Sequence, residues 1–465
     1  MPSSVTATHL AVTTDVELTT TTATLVFRLE INTYGFRPSS VHHKAIRHTV
    51  SILFTGTRRY APSLTHLDPE LEDGVSFFQT PSSGGWGART GTSTTGAAGT
   101  ARVSGEQDME VVPGPSDSVS ALAFSPTADV LAVASWDGYV RIYRIDKTNA
   151  NPVQPYQQYQ HEGPVLDVCF NAEGSKVISG GADKVARCFD LNTNQCAVVA
   201  QHNDTIRCIR WITAFGGALV TGSWDKTVKL WKIDPQPTLI TSLDVPERVY
   251  AMDTVGLVII VATAERKIVA FQCNEANGTA AQVASIDSPL KYQSRSIAAL
   301  PEGDGFALGG TEGRVAVHFF HDPPDPKDGR VKKFAFRCHR RANADHPDVP
   351  RNETHLFPVN AIVFNSQGTF ATGGGDGSIS FWCKASRTRL KMFETKGSSM
   401  APKEVFKTNP NRLPVTALAF NADATIFAYA LGYDWHKGYQ NATNEAHVFI
   451  HPVNPEDIKK RPPKT

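Results

Sequence analysis

Residues 378–391 read SISFWCKASRTRLK, an alternating run that ends in Trp382 and is followed by Lys384, Arg387, Arg389 and Lys391. An aromatic face beside a row of cations suits sequence-tolerant binding of single-stranded nucleic acid, because a base stacks on the ring while phosphates meet the charges. The competing role for Trp382 is core filling. Trp136 and Trp224 each sit in a Ser-Trp-Asp triplet, and a large aromatic at a polar turn costs solvation unless something covers it. Arg314 follows a Glu-Gly pair and carries a planar fork that grips a carboxylate through two bonds. No HExxH pair, phosphate-cradling loop or motif-flanked Ser or Cys nucleophile is present, so no catalytic residue and no cofactor is assigned. Cys338, His339, His346 and His355 share one polar insertion, but their spacing fits no common zinc finger and no metal ligand is assigned.

A repeat positions these residues. From about Val111 onward the chain cycles through an apolar strand, a turn, a second strand running into an acidic turn, and a third strand. Asp137, Asp183, Asp225, Glu265, Glu312, Asp376 and Asp434 mark seven copies at intervals of roughly 40 to 65 residues. Period-2 alternation says strand, and this repeat length allows four strands per unit, the signature of a propeller blade. One blade cannot bury both faces of its sheet, so the blades must stack radially and the ring must close. The segment DMEVVP, Asp108 to Pro113, is expected to supply the outer strand of the last blade. His202, Thr221, Asp225 and Trp231 match the set with which WD repeats brace a blade, and His161, Ser179 and Asp183 repeat it with Phe189 in place of Trp. Trp382 occupies the same position six residues after Asp376, but no His partner is evident in the long connection before it.

The fold class is therefore all-β: a seven-bladed WD-repeat propeller over 108–454, preceded by a low-complexity, largely disordered extension over 1–107 and followed by a basic tail, 455–465. The extension is rich in Thr, Ser and Gly, with one β-prone run at Ala23 to Ile31. Net charge is +1 over 465 residues, so attraction to a polyanion must come from a local patch. The seven cysteines include no CxxC pair and mostly lie in apolar runs, which suggests reduced thiols in an intracellular protein. The longest apolar run, VGLVIIVATA, is too short to cross a bilayer, and no membrane insertion is expected.

The stretches ERVYAMD, VATAERKIVAF, SPLKYQSRSIA, GGTEGRVAVHFF, FAFRCHR and IFAYALGYDWHKG, in that order, closely resemble the messenger-RNA export factor family of the nuclear pore. Its propellers bind a hairpin segment of a Gly-Leu-Phe-Gly-repeat nucleoporin, and the resemblance covers 108–460. A sister family, the spindle-checkpoint propeller that binds similar hairpins in checkpoint kinases, shares LKYQ.R and EGRVAV. FAFRCHR, SFWCKASRTRLK and YDWHKG with the basic tail favour the export-factor branch. The resemblance implies a non-enzymatic scaffold of the nucleus and nuclear pore complex, with some cytoplasmic shuttling. It implies that Trp136 and Trp224 pack on the hairpin, that Arg314 pairs with its glutamates, and that Lys291 and Arg295 add positive potential. It also implies a side groove of Phe336, Trp382, Lys384, Arg387 and Arg389 for single-stranded RNA or messenger ribonucleoprotein, or for an acidic peptide. The chain departs from that pattern at Cys383, where Asp is usual, and at Arg389, where Lys is usual.

Overall fold

Alternating strands leave two unsatisfied edges each, and in the computed structural model of the chain those edges pair into seven four-stranded antiparallel sheets arranged as a propeller. The structure describes the backbone of 6–19, 22–35 and 46–56, and residues 108–149, 151–320, 333–342, 349–395, 413–436 and 445–462 together with 438, 440, 442 and 443. The innermost strands of blades one to seven are Val119–Phe124, Val165–Phe170, Ile206–Ile212, Val249–Val255, Ser294–Ala299, Val359–Phe364 and Val415–Phe420. Alternation decides which neighbour each blade packs against. In blade one, Leu131 and Val133 join a cluster with Ile426 and Ile450 of blade seven. Ala132 and Ala134 face the other way, toward Val165 and Phe170 of blade two. The core is thus a ring of inter-blade layers, each fully buried aliphatic side chain contributing about 1.5–3 kcal/mol.

Ring closure follows the sequence expectation. Met109–Glu110 is the outer strand of blade seven, pairing with Ala446–Pro452 in the register Ile450 to Met109 and Phe449 to Glu110. Val111 N–H donates to the Val448 carbonyl at 2.8 Å. Asp108 accepts from the buried Tyr429 hydroxyl at 2.7 Å and pairs with His451 at 2.6 Å. On the channel side, Arg210 of blade three bridges Asp167 of blade two at 2.7 Å and Asp253 of blade four at 2.9 Å. Those carboxylates also accept the backbone N–H groups of Ile209 and Ala299.

The bracing sets show one correction. Blade three is braced as expected: His202 contacts Asp225 at 2.9 Å and Thr221 at 2.7 Å, and Trp231 Nε1–H donates to Thr221 Oγ1 at 2.9 Å. In blade two, His161 reaches Asp183 and Ser179, and the Tyr159 hydroxyl meets Ser179 where an indole would, stacked 5.0 Å from Phe189. Blade six does have its histidine. His339 contacts Asp376 and Thr372 at 2.9 Å each, and Trp382 Nε1–H donates to Thr372 Oγ1 at 2.9 Å. The connection hides this residue because His339 lies two residues past the outer strand of blade five, Phe334–Arg337, just before a small ribbon, Arg340–Ala342 with Thr354–Leu356. Gly374 makes room for it: a Cβ there would stand 2.3 Å from the His339 ring. Both ring nitrogens of His339 are thereby engaged, Cys338 is buried with its thiol pKa raised by desolvation, and His355 pairs with Glu353 at 3.5 Å. His346 lies outside the described residues.

Residues 1–99 form a separate unit. Its described backbone is a three-stranded meander of Thr6–Thr19, Thr22–Gly35 and Ile46–Gly56, in which the β-prone run Ala23 to Ile31 is flanked by strands on both sides. The expectation of disorder in the rest of 1–107 falls on residues outside those described. No helix among the described residues is long and apolar enough to cross a membrane.

Candidate functional site

Two faces of the propeller combine aromatic rings with cations. The first surrounds a cavity of about 490 Å³ at one mouth of the channel, lined among others by Trp136, Leu166, Arg207, Trp224, Arg295 and Trp435. Trp136 lies in the tight turn between two strands of blade one, where its N–H donates to the Ser118 carbonyl. Its ring stacks on Trp435 at 5.3 Å, and the two remain 36% and 42% exposed. Trp435 reaches that position through a left-handed backbone, φ 66°. Trp224 is half-buried, and its Nε1 has no hydrogen-bond partner among the described residues. Arg295 is fixed by Asn360 Oδ1 at 3.2 Å and the Asp434 carbonyl at 3.1 Å. Desolvation, with Arg207 opposite, lowers its pKa. Two guanidiniums facing a shared cavity raise each other's energy until an anion enters.

The structure brings Trp136, Trp224 and Arg295 to this cavity and places Lys291 and Arg314 beside Glu312 instead. Glu312 accepts the Lys291 N–H at 3.0 Å and holds the Arg314 guanidinium at 4.0 Å. Lys291 extends over the exposed Tyr292 ring at 5.5 Å. Gly313 holds φ +61° under the Cys338 and His339 carbonyls, where a Cβ would stand 2.8 Å and 2.9 Å away, so the turn before Arg314 needs glycine. Arg340 donates to the Gly313 and Glu312 carbonyls, and its pKa is lowered by burial and then by Arg314 and Arg337, a cationic cluster around one carboxylate.

The second face runs along the outer edge of blades five and six. Phe336 and Trp382 touch with centroids 4.4 Å apart, but Trp382 is only 9% exposed and packs with Leu300, Val315, Val317 and Phe370. The rings open to the edge are the half-buried Phe334 and Phe336, and the Arg387 guanidinium lies 4.8 Å over Phe334. Lys384 pairs with Glu302 at 2.6 Å and lies 5.8 Å over Phe319. Arg389 stands opposite Trp382 in the sheet, with its guanidinium 3.1 Å from the Met392 sulfur. Burial opposes ionisation of the Cys383 thiol, yet N–H groups of Ser386, Arg461 and Ala385 and the Ser386 hydroxyl hold its pKa below the usual range.

The sequence reading missed Arg207, Trp435 and Phe334. Trp435 was in view within YDWHKG and Phe334 within FAFRCHR. Arg207 carried no motif, only its place in an inner strand.

The fold defines a WD-repeat propeller. A family model described as the WD domain, G-beta repeat, matches 350–383, and one for the anaphase-promoting complex subunit 4 WD40 domain matches 116–214. The chain is 41% identical over 379 residues to the Poly(A)+ RNA export protein of Schizosaccharomyces pombe, covering 80% of this chain and 98% of that one. It is 39% identical to the mRNA export factor GLE2 of Chaetomium thermophilum, covering 77% and 93%, and 39% identical to the mRNA export factor of Danio rerio, covering 83% and 99%. The chain belongs to the messenger-RNA export factor family of WD-repeat propellers.

Proposed function

We propose that this protein is a non-enzymatic scaffold in messenger-RNA export, acting at the nuclear pore and shuttling between nucleus and cytoplasm. The channel-mouth face docks a hairpin segment of a Gly-Leu-Phe-Gly-repeat nucleoporin, and the edge of blades five and six takes single-stranded RNA of the messenger ribonucleoprotein. One observation carries the reading: Trp136, Trp224 and Trp435 ring a cavity that also holds Arg207 and Arg295. An amphipathic segment with acidic residues supplies what those rings and charges lack. The channel carboxylates Asp167 and Asp253 favour scaffolding over catalysis, since Arg210 and backbone N–H groups occupy them. LKYQSR and EGRVAV are shared with the spindle-checkpoint branch, for which a checkpoint-kinase hairpin would be the partner. Immunoprecipitation with mass spectrometry separates the two by recovering a nucleoporin or a kinase.

Arg314 stands beside Glu312, outside the cavity lining, where it would meet glutamates of a hairpin that extends past the cavity; Arg314→Glu sets like charge against them and is expected to weaken nucleoporin-segment binding by at least about tenfold, with an unchanged melting temperature. Calorimetry that gave wild-type affinity would remove Arg314 from the site. No binding by the wild-type protein would overturn the nucleoporin reading.

A further inference from the structure

Arg210 bridges two carboxylates and Arg314 stands beside Glu312, but the guanidiniums at the channel mouth are held by neutral oxygens. Arg207 donates to the Leu166 carbonyl at 3.3 Å, and Arg295 to Asn360 Oδ1 and the Asp434 main-chain carbonyl. Neither forms an ion pair among the described residues. For Arg295 a carboxylate is only one side chain away. Asp434 Oδ2 accepts from Asn360 Nδ2 at 2.7 Å, and Oδ1 accepts from His436. The Asn360 amide therefore stands between Arg295 and Asp434, its oxygen toward the cation and its nitrogen toward the anion.

The backbone builds this arrangement. Arg295 occupies the register shift between Ser294 and Ser296 in the inner strand of blade five, and Asn360 that between Val359 and Ala361 in blade six. A bulge re-aims its side chain, and both of these residues line the channel-mouth cavity. A second Asn360 Nδ2 bond, to the Val415 carbonyl at 3.0 Å, fixes the amide. Asp434 is 4% exposed and wedged against blade six, where a Cβ on Gly375 would stand 2.8 Å from Oδ2. Burial opposes its ionisation, yet His436 and Asn360 hold its pKa below the usual carboxylate range. Arg295, in contrast, remains exposed within the channel mouth.

We propose that Asn360 is a positioning residue of this site: it keeps Asp434 from neutralising Arg295, so that the guanidinium meets a glutamate or aspartate carboxylate of the docked segment. The inference rests on the reading of the channel mouth as the place where that segment docks. Without the amide, Arg295 Nε–H loses its acceptor and Asp434 Oδ2 loses a donor, and the two orphaned groups satisfy each other across the vacated space. A guanidinium paired inside the protein has less to offer a carboxylate from outside. Asparagine suits the task because one planar, uncharged amide carries an acceptor and a donor side by side.

Calorimetry with the full chain and a synthetic nucleoporin hairpin segment tests this. Arg295→Gln and Asn360→Ala should each weaken binding about tenfold, and together no more than Arg295→Gln alone, because both withdraw the same charge. Asp434→Asn added to Asn360→Ala should restore affinity to within about threefold of the wild type, since no carboxylate is left to compete. A merely structural Asn360 gives additive losses and no rescue, and either result overturns the proposal. So does wild-type affinity in Asn360→Ala or in Arg295→Gln. One readout needs no partner: in a crystal structure of Asn360→Ala, Arg295 and Asp434 should form an ion pair, and side chains left apart would sink the proposal. No segment binding by the wild-type protein would overturn the nucleoporin reading and the source of the carboxylate with it, whereas the ion pair in Asn360→Ala would still support Asn360 as the residue that keeps the two charges apart.

Discussion

Blades three and six are braced by the same hydrogen bonds at nearly the same lengths, yet they obtain their histidines differently. Each follows the outer strand of the preceding blade, but His202 stands 19 residues before Thr221, whereas a small ribbon intervenes and His339 stands 33 before Thr372. What the brace requires is an imidazole between a hydroxyl and a carboxylate, and chain distance is free to vary. The surroundings differ too. Trp231 is half-buried with Lys229 over its ring at 5.8 Å, whereas Trp382 lies beneath Phe336 at the basic edge. In blade three the brace holds Trp231 beneath Lys229. In blade six it also supports the surface on which the rings and cations sit.

The largest expected effect is from Trp382→Ala, which removes a buried ring and the indole hydrogen bond and should cost about 3–5 kcal/mol. Trp231→Ala should cost less, since its ring is only half-buried. Denaturation midpoints for the two variants decide this, and equal losses would erase the distinction between the blades. Next, His202→Ala and His339→Ala each remove two hydrogen bonds from buried groups that keep their other partners, at about 0.5–1.5 kcal/mol per bond. Both should lower the midpoint similarly, but only His339→Ala should also weaken oligouridylate binding. A matching loss in His202→Ala would show that bracing anywhere in the ring controls the edge.

The smallest effect is one of pH. Burial lowers the pKa of His202 from its ordinary 6.5, against the pull of Asp225. The unfolded chain therefore binds the proton first, and this stability is complete above pH 6.5 and declines as pH falls below it. Asp225, held at about 2 against an ordinary 3.8, acts in the same direction at lower pH. Although burial opposes this, Thr227, the Asn203 N–H and His202 keep its carboxylate ionised. Melting temperatures from pH 7 to 5 should fall less steeply in His202→Gln than in the wild type. An unchanged limb would remove His202 as its source.

The acidic turns and strand alternation made the seven blades legible, because each blade must present one side chain to either neighbour in turn. Asp108 to Pro113 was legible as the closing strand, since a ring with a missing outer strand leaves an open edge. His339 was not legible, because the brace forms in space and a 37-residue gap to Asp376 looks like any connection. Trp382 was ambiguous for a related reason: one-dimensional spacing assigns a ring to a blade without saying which of its faces is covered. Arg207 and Trp435 were obscured because the channel mouth is assembled from blades distant in the chain.

The clasp between Met109–Glu110 and Ala446–Pro452 also sets a schedule for synthesis. Asp108 and His451 are 343 residues apart, so at about 5–20 residues per second the first strand of the propeller waits on the order of 17–70 s for its partner. During that time the nascent chain is an arc with a bare edge at its growing end, open to pairing with another chain. Its safety in the cell then depends on how quickly translation finishes, and on any chaperone that guards the gap.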